Sequence, residues 1–313
     1  MITVAEWGRH FENEYLNTFV KDGGAAVRFV TGERKDLDRV SANLQSAAAS
    51  GGFRFAKVDS RVTKAHQIEQ VFHAIARQTD WMVLARNIAE RAAVASGYTI
   101  PASGEVTFSA IAAETGSTSF LVRNELQKWF SKEVFHDYQM TQEFRLAMMQ
   151  LALSPMDHSA GGAGGLTDLL IDWLTGELRL VSALRPALIF QKVGRYNARD
   201  TFVSLTHWLR VAGYPGLLVV LDIAPYMVAN RNLADGNYYT RAAAADLYEV
   251  LRQFVDATDE LQGCALVVLA PLGWAEDENR GLRMYRALTA RVSEEARGRH
   301  HDNPAAVLAR VGG

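Results

Sequence analysis

Apolar residues along the chain form two kinds of pattern, which together predict alternating strands and helices. Short apolar runs at residues 25–31, 53–58, 217–221 and 264–270 are typical of strands in a parallel sheet. Apolar residues at intervals of three and four predict helices at 40–50, 64–91, 141–153, 166–174, 196–212, 240–258 and 281–292. Strand, helix and strand in this order make parallel βαβ units, so we predict an α/β fold in which helices flank a parallel sheet.

The two ends of the chain carry weaker signals. Trp7, Phe11, Tyr15, Leu16 and Phe19 recur at helical spacing and predict an amphipathic helix within residues 1–20. The last ten residues show no such pattern, and we expect them to fray.

Composition shifts suggest where the core is interrupted. Residues 154–165 are rich in glycine and small polar residues, which is typical of a linker or flexible loop. We therefore predict three segments. Residues 1–62 hold the N-terminal helix and the first βαβ unit, residues 63–165 form an inserted helical region, and residues 166–313 complete the core.

The overall composition excludes several classes of protein. With 49% hydrophobic and 22% charged residues among 313, the chain is neither disordered nor fibrous. A net charge of −2 gives no whole-protein attraction to nucleic acid or to an anionic membrane, so any such contact requires a local patch. The single cysteine, Cys264, cannot form an internal disulfide, and no Cys/His spacing indicates a metal site. Without a signal peptide or a long apolar run, we expect a cytoplasmic protein.

The strand at 217–221 is followed by Asp222 and Ile223. In nucleotide-hydrolysing P-loop proteins, a carboxylate at the end of such a strand holds Mg²⁺, and a second acid usually follows it to polarise the attacking water. Ile223 can neither orient nor deprotonate water. The neighbouring strand, which often ends in a polar residue that contacts the γ-phosphate or the water, here ends in Ala270 and Pro271. This part of the sequence predicts the frame of an ATPase site without its chemistry.

The first strand leads into Gly32, where a phosphate-binding loop of the pattern G-x-x-x-x-G-K-[ST] would begin. The positions of the second glycine, the lysine and the hydroxyl residue hold Leu37, Asp38 and Arg39. A carboxylate thus stands where a triphosphate needs a cation.

Two cations near this position offer an alternative. Arg34 or Lys35 would bind phosphate from a shifted position if nucleotide binding is retained. The candidate remnants of a nucleotide site are therefore Gly32, Arg34, Lys35 and Asp222.

Residues 108–130 have the spacing of a helix-turn-helix. Ala112, Gly116, Val122 and Leu126 fall where that motif needs a small residue, a turn glycine and two core apolar residues. The residues that would face DNA are Ser117, Ser119, Arg123, Asn124 and Lys128. The alternative is a pair of packed helices whose polar residues are merely solvated, and the acidic residues in this segment favour that alternative.

Several segments, in order along the chain, carry a resemblance to a known family. They are Glu14-Tyr15-Leu16 with residues 23–30, Trp173-Leu174-Thr175-Gly176-Glu177, Asn197-Ala198-Arg199-Asp200, residues 205–222, and residues 281–291. Together they resemble the bacterial P-loop ATP-binding proteins of BREX-type antiphage defence loci, which are BrxD-like and related to AAA+ ATPases. The resemblance implies an ATP-binding core with an inserted helical region, working within a multi-protein complex on DNA.

The resemblance also assigns roles to individual residues. Gly32 matches the first glycine of the phosphate loop and Asp222 matches the magnesium-binding acid, whereas Ile223 replaces the glutamate. Arg199 or Arg291 would act in trans on a neighbour's nucleotide, as AAA-type arginines do. The alternative for each arginine is solvation or a salt bridge.

We accordingly expect a P-loop NTPase-like, AAA+-related α/β fold with an inserted helical region. The predicted function is a pseudo-ATPase that serves as scaffold or regulator in a bacterial, DNA-directed antiphage complex. Other protein subunits, such as an active paralogous ATPase, would be its partners, and we expect an oligomer and no membrane contact. We expect no catalytic residue, metal or cofactor, with ATP and Mg²⁺ at most a weak or non-hydrolysed ligand. The alternatives are a DNA-binding adaptor that uses the helix-turn-helix-like segment and a divergent nucleotide-binding sensor.

Overall fold

The computed structural model describes residues 1–157, 163–228, 238–294 and 303–313. The strands in these ranges are β1 (Ala25–Gly32), β2 (Arg54–Asp59), β3 (Leu217–Asp222), β4 (Cys264–Pro271) and β5 (Leu308–Arg310). The α-helices are α1 (Val4–His10), α2 (Arg34–Gly51), α3 (Ile68–Ala76), α4 (Trp81–Ala95), α5 (Phe108–Thr115), α6 (Ser119–Phe130), α7 (Gln142–Leu153), α8 (Ala163–Thr175), α9 (Ala198–Val211), α10 (Arg241–Asp256) and α11 (Arg286–Glu294).

The chain divides into two compact units. An α/β unit comprises Met1–Ile75 and Tyr214–Gly313, and a helical unit comprises Ala76–Gly213. The predicted boundaries at 62/63 and 165/166 differ from this division, because α8 and α9 belong to the helical unit. The backbone N–H of Thr141, which precedes α7, donates to the hydroxyl of Ser204 on α9 at 2.9 Å. α9 therefore packs with α7, and residues 158–162 of the glycine-rich stretch lie outside the described residues.

The sheet of the α/β unit is parallel throughout and has the strand order β2-β3-β4-β1-β5. The predicted α/β class and parallel sheet are confirmed, and the arrangement is compatible with a P-loop-like fold. β4 lies between β1 and β3, so the carboxyl ends of these three strands meet at one edge.

Helices cover both faces of the sheet. On one face, α1 and α2 bury Trp7, Val40 and Leu44 against alternate strand residues such as Val30 and Val220. On the other face, the ring of Phe29 stacks on that of Trp274 at 5.6 Å, and the indole N–H of Trp274 donates to the hydroxyl of Tyr248 on α10 at 3.0 Å. Strands buried on both faces explain the continuous apolar runs in the sequence.

Two predictions at the chain ends were wrong. After α1 the chain winds as a π-helix over Phe11–Val20, and Phe19 is 52% exposed rather than in the core. Bonds from i to i+5 change the angular spacing of side chains, so Val20 is buried in place of Phe19, whereas Leu16 is buried as predicted. The last residues do not fray: β5 pairs with β1, and Val311 forms a bridge with Ile2. Three residues are too few for a pattern to predict a strand.

Two helix predictions also needed correction. The predicted helix at 64–91 is two helices, α3 and α4. The predicted helix at 281–292 begins at Arg286, after a short 3₁₀ turn at Leu282–Met284. Residues 229–237, whose polar sequence predicts a loop, lie outside the described residues.

Candidate functional site

The connection between β1 and α2 differs from the predicted loop. β1 ends at Gly32, Glu33 is the N-cap, and α2 begins at Arg34. The backbone N–H groups of Asp36 and Leu37 both donate to the carbonyl of Glu33 at 3.0 Å. The expectation of a loop before a helix at residue 40 was therefore wrong, because the charged residues after Glu33 form the first turns of the helix.

This geometry decides where the residues at the supposed loop positions lie. Leu37, Asp38 and Arg39 are on the second turn of α2, and Leu37 is buried in the core. A phosphate loop works because successive backbone N–H groups converge on the anion. A one-residue connection offers no length of chain that could wrap around a phosphate.

The space at the end of β1 is also filled. A β-carbon at Gly32 would lie 3.0 Å from Cγ2 of Val311, 3.1 Å from its carbonyl oxygen and 3.5 Å from Cδ2 of Leu37. The atoms nearest that position are methyl groups of Val311 and Leu37 and a carbonyl oxygen of Val311, none of which binds an anion.

Asp222, at the end of β3, forms an ion pair with another side chain of the protein. Its side chain is 3% exposed, and one carboxylate oxygen is paired with the guanidinium group of Arg34. The other oxygen accepts the backbone N–H of Ala224 at 3.0 Å. Arg34 also contacts Asp38, with Nη2 at 2.8 Å and Nε at 3.1 Å from the carboxylate oxygens. Burial lowers the pKa of Arg34, but the bonds to Asp222 and Asp38 outweigh it and leave the pKa raised.

A second carboxylate lies beside Asp222 with a cation of its own. Asp59 is the register partner of Asp222 on β2. Arg61 donates to it from Nε at 2.9 Å and from Nη2 at 2.6 Å. Burial raises the pKa of Asp59, but the bonds from Arg61 outweigh it and leave the pKa lowered. Sequence analysis missed Arg61, whose signal was its position two residues after the strand-ending aspartate.

The other positions that the sequence singled out at this edge are either paired with another side chain or apolar. Lys35 pairs with Glu33 at 3.1 Å, and both side chains are exposed. Ile223 is fully buried, and β4 ends in Ala270 and Pro271 as predicted. Among the described residues, Asp222 and Asp59 are each paired with an arginine and the chain between β1 and α2 forms no phosphate loop, so this donor set does not fit a triphosphate with Mg²⁺.

The two arginines considered for a role in trans lie in different units. Arg291 on α11 holds Asp256 on α10, with its Nη2 2.9 Å from Oδ2 and its Nε on Oδ1. This bond uses the guanidinium group to join two helices, as the salt-bridge alternative predicted. Arg199 is the second residue of α9 in the helical unit and is half-buried.

The helix-turn-helix-like segment has the predicted local structure. α5 ends at Gly116, which adopts a left-handed conformation with φ of 65°, and α6 follows after Ser117 and Thr118. Ala112, Val122 and Leu126 are buried. The spacing thus predicted a tight turn between two packed helices correctly.

The candidate DNA-facing cations of this segment are already paired. Arg123 is bound to Asp157, and Lys128 lies 2.8 Å from Glu125. Ser119 is exposed, whereas Ser117 and Asn124 are half-buried. Phosphate would have to compete with these carboxylates.

The described residues contain neither a metal-binding cluster nor a membrane-spanning helix. No cluster of three or more His, Cys, Asp or Glu side chains in those ranges could hold a metal ion. None of the helices in the same ranges has the length and apolar character needed to cross a membrane.

Comparison with known proteins gives one result. A family model described as BREX system ATP-binding protein BrxC/D matches residues 121–311, which is more than half of the chain. The match includes β3, β4 and β5 and begins after β1 and α2. No curated protein and no solved structure gives a significant match. The chain belongs to the BREX system ATP-binding protein BrxC/D family.

Proposed function

We propose that the chain is a catalytically inactive P-loop-like subunit that acts as scaffold or regulator in a BREX phage-defence complex. The family match supports a role in that system and, since the system has several subunits, supports protein partners. The proposal adds that a partner, such as an active paralogous ATPase, supplies any ATP hydrolysis and that the fold is related to AAA+ proteins.

The observation that carries this proposal is the ion pair between Arg34 and Asp222. A metal ion at Asp222 would have to displace a guanidinium group from a buried carboxylate, which is costly because the displaced charges lose their partners. Arginine fingers and oxyanion donors each contribute several kcal/mol to phosphoryl-transfer or related transition states. Within the described residues, the connection from β1 to α2 forms no phosphate loop and Ile223 stands where a second acid would follow Asp222, so the positioning that such chemistry needs is lacking there.

The test is a pair of measurements on the purified chain with ATP and Mg²⁺: calorimetric titration and phosphate release. We expect no turnover and no binding below millimolar ATP. The proposal is overturned if the chain hydrolyses ATP and Asp222→Ala abolishes this turnover. The control is Asp259→Ala, an exposed aspartate whose loss should leave any turnover unchanged.

The same titration tests the sensor alternative. Binding at micromolar ATP without turnover, lost in Arg34→Ala or in Lys35→Ala, would make the chain a nucleotide sensor. It would then bind through the cations that follow Gly32.

A second candidate function is a DNA-binding adaptor. The left-handed turn at Gly116 and the buried Ala112, Val122 and Leu126 favour it, because they reproduce the framework of a helix-turn-helix. Charge reversal at Arg123 and Lys128 should then reduce affinity for duplex DNA and lower its salt dependence. Unchanged affinity in that double variant would exclude this use of the segment.

A further inference from the structure

Residues 178–197 of the helical unit form a stretch that carries cations and no carboxylate and that lies outside the site described above. The stretch contains Arg179, Arg185, Lys192 and Arg195 and no aspartate or glutamate, although the whole chain carries a net charge of −2. Local excess of cations on an acidic protein is the kind of patch through which polyanions bind.

The stretch is held as one surface by its own bonds. The ammonium group of Lys192 donates to the carbonyl of Arg179 at 2.9 Å and to that of Leu178 at 2.5 Å, which brings the two ends together. The indole N–H of Trp173 donates to the carbonyl of Gln191 at 2.8 Å and anchors the stretch to α8. Underneath, the buried side chains are Leu178, Leu184, Ala187, Ile189 and Val193.

The side chains that alternate with this buried row point outward. Phe190 is 63% exposed and Tyr196 is 99% exposed, which is unusual for large aromatic side chains. Within the part of the chain that the structure describes, Arg179, Arg185 and Arg195 form no ion pair, in contrast to Arg123 and Lys128. The carboxylate of Glu143 reaches the edge of the stretch, where it accepts the amide N–H of Gln191 at 2.9 Å rather than pairing with a cation.

The backbone at the centre of the stretch is strained. Leu188 has φ of 58°, a left-handed conformation that side chains other than those of glycine and asparagine rarely adopt, and its own side chain is exposed. Strain of this kind is found mainly where function requires a particular arrangement of the chain. Here it turns the chain between the exposed Arg185 and the exposed Phe190.

We propose that residues 178–197 bind single-stranded nucleic acid. The three unpaired arginines would contact the phosphate backbone, and Phe190 and Tyr196 would stack on unpaired bases. Cations that follow a backbone, together with exposed aromatic rings, are the combination by which proteins hold single strands without reading their sequence. These residues are different from those of the helix-turn-helix-like segment, and the inference does not depend on whether the α/β unit hydrolyses ATP.

The experiment is fluorescence anisotropy of the full chain with labelled oligo-dT and oligo-U of about 20 nucleotides and with a duplex of equal length. We expect both single strands to bind more tightly than the duplex, with affinity falling as salt rises. In Arg179→Ala/Arg185→Ala/Arg195→Ala, affinity should fall at least tenfold and the salt slope should decrease by about two. In Phe190→Ala/Tyr196→Ala, affinity should fall about tenfold or more with the salt slope unchanged.

The matched control removes three exposed cations from the α/β unit, in Arg9→Ala/Lys64→Ala/Arg283→Ala. It changes the net charge by the same amount and should leave affinity within a factor of about two.

The proposal is overturned if neither single strand binds at low salt, if the control loses as much affinity as the arginine variant, or if the aromatic variant binds normally. The proposal is also overturned if the protein binds duplex more tightly than single strands and this binding depends on Arg123 and Lys128. It is overturned as well if an acidic protein binds this surface and oligonucleotides do not. Phosphate release from ATP is a separate readout, so failure here leaves the proposed function standing.

Discussion

The guanidinium group of Arg34 and the carboxylate of Asp222 form an ion pair across 188 positions of sequence. Arg34 is the first residue of α2, and Asp222 is the last residue of β3. The pair lies at the edge of the sheet where β1, β3 and β4 end, which is the edge at which parallel sheets bind ligands. A side chain of the protein thus takes the place that a metal ion would need at Asp222.

Removing Arg34 should destabilise the α/β unit. Arg34→Ala leaves the buried Asp222 charge without its cation, and we expect the free energy of unfolding to fall by about 1–3 kcal/mol, toward the low end because Arg34 is 45% exposed. Urea unfolding measures this loss. Asp222→Asn in the Arg34→Ala background should recover part of it, since the buried charge is then gone. Lys35→Ala, one position along the same helix and also paired on the surface, is the control and should change stability by no more than about 0.5 kcal/mol.

His66 should make stability depend on pH. The hydroxyl of Tyr226 accepts the backbone N–H of His66 at 2.9 Å and lies 2.8 Å from Nδ1, an arrangement that suits a neutral imidazole accepting the tyrosine proton. Burial lowers the pKa of His66, with Lys64 adding to this effect and Asp246 and Glu69 opposing it.

The sign of this effect follows from proton binding. Because the folded-state pKa is below the unfolded value of 6.5, the unfolded chain binds the proton more readily and stability falls as the pH drops below about 7. His66→Asn removes the titrating group, so the difference in unfolding free energy between the two proteins should shift in favour of the variant between pH 7 and pH 5. A difference that stays constant over this range would contradict the assignment.

Gly216 should tolerate no side chain. A β-carbon there would lie 1.9 Å from the carbonyl oxygen of Gly263 and 2.7 Å from its carbonyl carbon, both of which are backbone atoms. The same carbonyl accepts the N–H of Leu217 at 2.8 Å, at the start of β3. Gly216→Ala should therefore cost about 3 kcal/mol or more, or prevent folding.

The control for Gly216 is Gly194→Ala. A β-carbon at Gly194 meets nothing within 4 Å. This substitution should change the free energy of unfolding by about 1 kcal/mol or less. Thermal unfolding of the two variants side by side measures the contrast, and similar costs would show that the approach to Gly263 is not tight.

Leucine at position 188 should lower the free energy of unfolding relative to a residue that suits the left-handed backbone conformation there. Its left-handed backbone conformation favours asparagine over leucine, so Leu188→Asn should raise the unfolding free energy by up to about 1 kcal/mol. Leu188→Val should lower it by a similar amount, because a β-branched side chain suits this conformation poorly. If both variants match the parent in urea unfolding, the position carries no strain.

The sequence by itself determined the class of the fold and most of its elements. Apolar runs such as 217–221 must be buried on both faces, and this alone predicts parallel strands covered by helices. The residues after Gly32 already excluded a standard phosphate loop, because no backbone arrangement turns Asp38 into a cation. The small and apolar residues around Gly116 were sufficient to predict a tight turn between two helices. These are local properties, fixed by side chains within a few positions of one another.

Tertiary structure decided which charges meet. Arg34 looked like a substitute phosphate ligand in the sequence, and only the parallel sheet, in which β4 lies between β1 and β3, brings it to Asp222. The pairing of β5 with β1 was likewise invisible, since a three-residue strand gains its hydrogen bonds from a distant partner. The exposed row from Arg179 to Tyr196 depended on knowing which side of the stretch is buried. Ion pairs, edge strands and exposure depend on contacts between residues far apart in the chain, which the order of residues specifies only through the completed fold.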